Sequence, residues 1–347
     1  MSEESTQGIL AGECTVHRIR PRGRFSRLML RMPSGFPEPI PGQFILVSCQ
    51  PSLDDLLPSP ERLHGSHLAR FLVEPVGDRT MLPRPLSIFD YARQSKNEPA
   101  LVTLLFKIVG RGTLGLSMVR PGDRLRFLGP LGNGFETDGW GRTLLVAGGI
   151  GLAGINFLAR TLSKSSQPPL TILGVDDRGQ SPVRLSLTEV PPVYHWALPK
   201  TTEPLRLVIS RLFDNFMPSI VTSLYPGDQG AFCGTATDLV ERLFEANPTY
   251  PPETTLVGCG PRPMLEALTT IARHHHVRRF LVLLEERMAC GVGTCLGCAV
   301  KVREGALPFE GDAAQKGPTT FKRVCTDGPV FNGYRIVWEH EGEVENG

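Results

Sequence analysis

Short stretches in which apolar and polar residues alternate fill the first 135 positions, and Gly or Pro ends almost every one. Gly42–Ser48, Leu101–Val109 and Asp123–Leu128 are the clearest. Period-two runs this short and this regularly interrupted predict an antiparallel β-barrel. Past residue 140 the pattern changes. Thr143–Ala147, Leu170–Val175 and Thr254–Gly258 are continuously apolar, as strands buried on both faces must be, and helical patterns separate them. These runs predict a parallel sheet in an α/β unit. From residue 284 the character changes again, and closely spaced cysteines replace long hydrophobic runs. The expected fold is multidomain: a β-barrel over 1–137, a Rossmann-like α/β unit over 138–283, and a small module over 284–347.

Composition narrows this picture without redirecting it. The 347 residues are 41% hydrophobic and 21% charged, and 37 basic against 35 acidic residues leave a formal charge of +2. No basic stripe interleaved with aromatics appears, so nucleic acid is not an expected partner. The most apolar stretch, Leu144–Ala159, carries Asn156 and several glycines; it is too short for a membrane span and suits a strand, a glycine turn and a helix. With eight cysteines and no secretory leader, the reading expects a reducing, cytoplasmic setting and no membrane. Gln50–Arg70 and Glu304–Thr320 read as surface insertions, and Glu339–Gly347 as a frayed acidic tail.

The cysteines carry the most specific chemistry. Cys290, Cys295 and Cys298 follow the Cys-x4-Cys-x2-Cys spacing of a plant-type [2Fe-2S] cluster, with Gly291, Gly293 and Gly297 between them. Thiolates supply the tetrahedral sulfur field iron needs, and the glycines let the loop wrap closely. Cys325 follows Cys298 after 26 residues, in Phe321–Pro329, a strand-to-turn setting suited to a fourth ligand. Structural zinc is the competing reading, but it normally takes two Cys-x2-Cys knuckles, and only one occurs here.

Two further signals concern cofactors. In the barrel, Arg84-Pro85-Leu86-Ser87 offers a guanidinium fork for a pyrophosphate and a hydroxyl for a ring nitrogen. Gly110-Arg-Gly112-Thr113 opens a short helix, with Thr113 as its expected cap, and free N–H groups there suit the same anion. Together they point to FAD. In the second unit, Gly148-Gly149-Ile-Gly151-Leu-Ala-Gly154 follows one strand and precedes an amphipathic helix, the setting of a dinucleotide fingerprint. Asp176 and Asp177 end the next strand, either to accept a ribose hydroxyl of NAD or as solvated turn residues. Gly258-Cys259-Gly260-Pro261 is a second strand–turn–helix junction; Cys259 there is either near the nicotinamide or a small buried residue. His274-His275-His276 reads as a solvated helix end.

In this order, these segments resemble the electron-transfer subunits of class 1B dihydroorotate dehydrogenase, within the ferredoxin–NADP reductase-like flavoproteins. The match rests on Glu285–Cys298, Lys322–Phe331, Arg84–Ser87, the Leu105-Phe106-Lys107 strand, Gly112-Thr113, Gly148–Gly151 and Gly258–Pro261. It spans nearly the whole chain. The chain departs from the family in its insertion near 50–70, in a longer gap before Cys325, and in Leu283-Leu284 ahead of Glu285. The resemblance implies FAD, a [2Fe-2S] cluster and NAD, with electrons arriving from the FMN of a separate dihydroorotate-oxidising subunit in pyrimidine (UMP) biosynthesis. It also implies an assembly of two chains of each kind. The alternatives are another iron–sulfur flavoprotein NAD(P)H reductase, serving a ferredoxin, hydrogenase or oxygenase, and a non-catalytic redox sensor.

Overall fold

The computed structural model describes residues 8–49, 82–95, 98–165, 167–188, 207–212, 215–228, 231–305 and 317–338. The expected insertion at 50–70, most of the one at 304–320 and the acidic tail lie outside them.

Six strands close a barrel: β1 (Leu10–Arg22), β2 (Phe25–Arg31), β3 (Phe44–Cys49), β4 (Arg84–Ala92), β5 (Leu101–Lys107) and β6 (Arg124–Leu131), in the order β1-β2-β5-β4-β3-β6. Alternation makes them strands. In β6, Leu125 and Phe127 face the core while Arg124 and Arg126 face water. The helix α1 (Arg111–Met118) follows β5 and sends Leu114 and Leu116 into the same core. It begins earlier than the sequence suggests. Thr113 lies inside its first turn, and its Oγ1 accepts the N–H groups of Val109 (3.0 Å) and Gly110 (3.2 Å), so the hydroxyl still satisfies backbone donors ahead of the helix.

The α/β sheet is built on β7 (Arg142–Gly148), β8 (Leu170–Val175), β11 (Asn215–Ser223), β13 (Thr254–Cys259) and β14 (Arg279–Leu283), all parallel. Antiparallel β10 (Leu207–Leu212) and β9 (Leu185–Thr188) extend one edge, and short β12 (Phe232–Cys233) pairs with β11. From β7 the chain winds one way to β8 and β11, then returns to place β13 and β14 on the other side of β7. The reversal leaves a crevice at the carboxyl ends of β7 and β13, where open α/β sheets bind ligands.

The first helix of this unit, α2 (Leu152–Leu162), is not amphipathic. Leu152 through Ala159 are all buried, because the sheet lies on one side and strand β4 of the barrel on the other. Asn156 donates to the Phe89 carbonyl (3.0 Å), and Arg160 reaches Asp90 (2.7 Å) and the Tyr91 carbonyl. The helices α3 (Ala236–Ala246) and α4 (Arg262–His274) pack on each other over the sheet.

In the last segment β15 (Ala299–Arg303) and β16 (Thr319–Arg323) form a hairpin, and β17 (Val330–Asn332) joins the α/β sheet antiparallel to β14. Asn133, just beyond β6, acts as a strand partner for Val330. Its amide donates to the Val330 carbonyl (2.9 Å) and its Oδ1 accepts the Val330 N–H (3.0 Å). The third segment is thereby tied to both other units. No helix among the described residues is long and apolar enough to cross a membrane.

Candidate functional site

The four cysteines converge. The loop leaving β14 brings the Cys290 and Cys295 sulfurs to 3.3 Å, while the Cys295 N–H points at Cys290 Sγ (3.4 Å). That N–H and the one of Val292 lower the Cys290 thiol to about 6. Cys298 and Cys325 are buried, and the Val324 N–H binds the Cys298 carbonyl (3.0 Å) beneath them. Burial, then the neighbouring Cys298 and Cys290, pushes Cys325 up to about 11. Crowded thiols that resist ionising together are what a cationic metal reverses, because it binds them as thiolates. Gly291 and Gly293 take φ of +71° and +82°, open to glycine without penalty. The arrangement suits an iron–sulfur cluster.

This loop presses on the barrel. A Cβ at Gly291 would lie 2.5 Å from Leu46 Cδ1, and Leu46 pairs with Pro85 across β3 and β4. Adjacent strands are about 4.8 Å apart. The cysteine loop and the Arg84–Ser87 segment are therefore neighbours, although 200 residues of sequence lie between them.

Along β4, Arg84, Pro85, Leu86 and Ser87 are only half-buried, whereas Ile88 to Tyr91 are buried. The segment that the sequence assigns to a ligand is the more open half of the strand. The Arg84 guanidinium lies across Gly112, where any Cβ would overlap it. The structure thus brings together the two segments that the sequence assigns to one flavin. Lys107, half-buried at the end of β5, lies 6.0 Å from the Phe25 ring. Phe106 packs in the barrel core and Leu105 in the α/β core.

A cleft of about 600 Å³ opens at the sheet crevice. Gly148, Gly149 and Gly260 line it, with Lys107 and Phe25 on the barrel side. A Cβ at Gly260 would sit 2.9 Å from the Gly148 nitrogen, so the two turns touch and form one floor. Gly151 and Gly258 act from behind. A Cβ on Gly151 would overlap the Cys259 carbonyl, and one on Gly258 would come within 2.9 Å of Leu268. Cys259 is fully buried against Gly154, and burial raises its thiol well above its usual range, with Glu285 adding to the effect. It is the small buried residue, not a cleft residue.

Asp176 lines the cleft, while Asp177 is occupied by Gln180, accepting from its N–H (3.0 Å) and its side-chain amide (2.8 Å). Of the two aspartates only Asp176 lines the cleft. Thr235 and Thr237, at the start of α3, also line the cleft. The only sequence signal for them is the Thr-x-x-Asp cap, in which Thr235 Oγ1 accepts the Asp238 N–H (3.0 Å). Glu285, two residues beyond the end of β14, is exposed and lines the cleft. Residue type alone could not find it, because its position depends on where β14 ends.

The family model for the iron–sulfur cluster binding domain of dihydroorotate dehydrogenase B matches residues 285–337. The electron transfer subunit of dihydroorotate dehydrogenase B (NAD(+)) from Caldanaerobacter subterraneus subsp. tengcongensis is 31% identical over 87% of this chain and 88% of its own length. The corresponding subunit from Desulforamulus reducens is also 31% identical, over 86% and 87%. The chain belongs to this family of electron transfer subunits. Among solved structures, an NADH-dependent reduced ferredoxin–NADP oxidoreductase of flavin-based electron bifurcation superposes with a TM-score of 0.63 at 22% identity, over 94% of this chain and 90% of that one. Barrel, doubly wound sheet and cysteine module are thus a fold this electron transfer subunit shares with a flavoprotein reductase. As an electron transfer subunit it works with a catalytic partner chain.

Proposed function

We propose that this chain carries electrons from the FMN of a dihydroorotate-oxidising catalytic subunit to NAD+, with Cys290, Cys295, Cys298 and Cys325 holding a [2Fe-2S] cluster. The observation that carries the reading is the contact of Gly291 with Leu46, whose strand neighbour is Pro85. It sets the cysteine loop against the flavin strand, with the nucleotide cleft on the far side of Lys107. A [2Fe-2S] cluster exchanges one electron, nicotinamide two and a flavin either, which orders the three groups with FAD in the middle.

Each part of the chain has a physical task. Arg84 and the start of α1 neutralise and orient the FAD pyrophosphate, and Pro85, Leu86 and Ser87 present the half-open strand to the ring. Lys107 stands between the flavin strand and the cleft. Gly148, Gly149 and Gly260 let a dinucleotide approach the backbone, and Asp176 accepts its ribose hydroxyl, favouring NAD over NADP. Residues 1–137, 138–283 and 284–347 are the working divisions. Family membership supports an assembly of two electron-transfer and two catalytic chains.

The partner docks over the cysteines. Val292 and Leu296 on the loop, and Phe321 four residues before Cys325, are large apolar side chains left 46%, 62% and 69% exposed. Exposed anchors of this kind mark an interface, and electron delivery requires it to lie over the cluster. Substituting Cys295→Ser tests the ligand assignment. The variant loses the iron–sulfur absorption and the dihydroorotate-to-NAD+ activity of the complex, while NADH still bleaches its flavin. A variant retaining a full cluster and coupled activity overturns the assignment.

A further inference from the structure

At the opposite end of α4 from the cleft lies a cluster of donors that the electron path does not use. Three consecutive histidines on a continuing helix would splay apart by about 100° each, but α4 stops here. His274 is its last residue, His275 caps it at φ −92° and ψ 8°, and His276 turns left-handed at φ +53°. The ending brings the His274 and His275 rings edge to face, with centroids 4.7 Å apart. From α3, Glu241 reaches the same point, and its Oε1 lies 2.9 Å from His275 Nε2. One ligand atom from each of the three residues lies within 4.8 Å of the other two.

We propose that Glu241, His274 and His275 form a binding site for a divalent transition metal of the zinc class. Two imidazoles and one carboxylate are a donor set Zn2+ accepts, with water completing the shell. At Zn–N and Zn–O distances of about 2.0–2.2 Å, tetrahedral donors sit about 3.4 Å apart. Reaching that spacing from the observed one requires the exposed His274 ring to move. The Glu241–His275 hydrogen bond at 2.9 Å opens by about 0.5 Å as the metal replaces its proton. His275 packs against Phe244 at 5.4 Å between ring centroids, and the Tyr334 hydroxyl donates to the Ala272 and Val277 carbonyls, fixing the helix end. At 1.5 Å per residue, the 13 residues of α4 span about 20 Å. A metal here is remote from the cleft and acts as a staple between α3 and α4.

The test uses protein loaded with cluster and flavin and washed with EDTA. Zn2+ is titrated calorimetrically while visible absorption reports the cofactors. We expect one saturable site, a raised melting temperature and unchanged absorption. His274→Ala and Glu241→Gln each weaken Zn2+ binding by at least about tenfold. His276→Asn, which keeps a residue tolerant of the left-handed turn, binds as the parent does. Absence of a one-equivalent site in the parent protein overturns the proposal. So does equal affinity in His274→Ala and Glu241→Gln, or uptake that bleaches the iron–sulfur absorption.

Discussion

Single residues decide how closely the cofactor segments approach one another. Gly151 is the sharpest case, since an added methyl group would overlap the Cys259 carbonyl, a backbone atom that cannot swing aside. Gly151→Ala is expected to cost about 1–3 kcal/mol or more through overpacking, seen as a lower melting temperature of the loaded protein. A thermally unchanged variant would show that the two turns are not in contact. Asp176 carries a specificity prediction. With Asp177 engaged by Gln180, Asp176→Ala should narrow the preference for NADH over NADPH by about tenfold, or ~1.4 kcal/mol, measured as the ratio of kcat/KM values; an unchanged ratio removes Asp176 from the ribose site. The gathering of the four cysteines was legible in the sequence because three of them lie within nine residues, at the spacing of a plant-type [2Fe-2S] loop. The cleft position of Glu285 was not, although the match already included that residue, nor was the choice between Asp176 and Asp177. Both depend on which way a side chain faces once the sheet is wound, and a linear pattern does not encode that.

Among the elements, α2 does the most to position the site. Its apolar residues run round the helix instead of along a stripe because it is clamped between the sheet and the barrel, so a reading that assumes one buried face makes it amphipathic. Its polar residues find partners across that junction. Burial raises the Asp90 carboxyl, and Arg160, and more weakly Arg27, oppose the shift. Removing Arg160 leaves a buried charge less compensated, and Arg160→Met should cost about 2–4 kcal/mol at pH 7.5. The pH dependence follows from the sign. A carboxyl whose folded pKa is raised stabilises the fold only when protonated, so its contribution is present below the unfolded pKa and lost as pH rises through the folded one. The variant's deficit against the parent should therefore shrink as pH falls toward 5. A deficit independent of pH would mean that Asp90 is not the group left unpaired. The principal strands were readable from their apolar runs to within a few residues. The strands β9, β10, β11 and β12 on the far side of β8 were not, since no apolar run marks them out in the sequence.

At the scale of the molecule, barrel, sheet and cysteine module were foreseen in the right order, but their interlocking was not. β17 closes the α/β sheet from within the third segment, and Asn133 ties that segment to the barrel. Sequence order suggests a module on a string, whereas the structure seats the cluster loop against β3. The exposed apolar residues around it make the partner-facing surface testable. Phe321→Glu should weaken the complex with the catalytic subunit by about tenfold or more, read by calorimetry or co-purification, and leave NADH-driven flavin reduction in the isolated chain unaltered; undiminished affinity would move the interface elsewhere. The most direct test of the two-ended electron path is an anaerobic absorbance titration of the chain co-purified with its dihydroorotate-oxidising partner, with NADH added to one sample and dihydroorotate to another. The account predicts that both reductants bleach the flavin and iron–sulfur bands. Bleaching by NADH with none by dihydroorotate would contradict it.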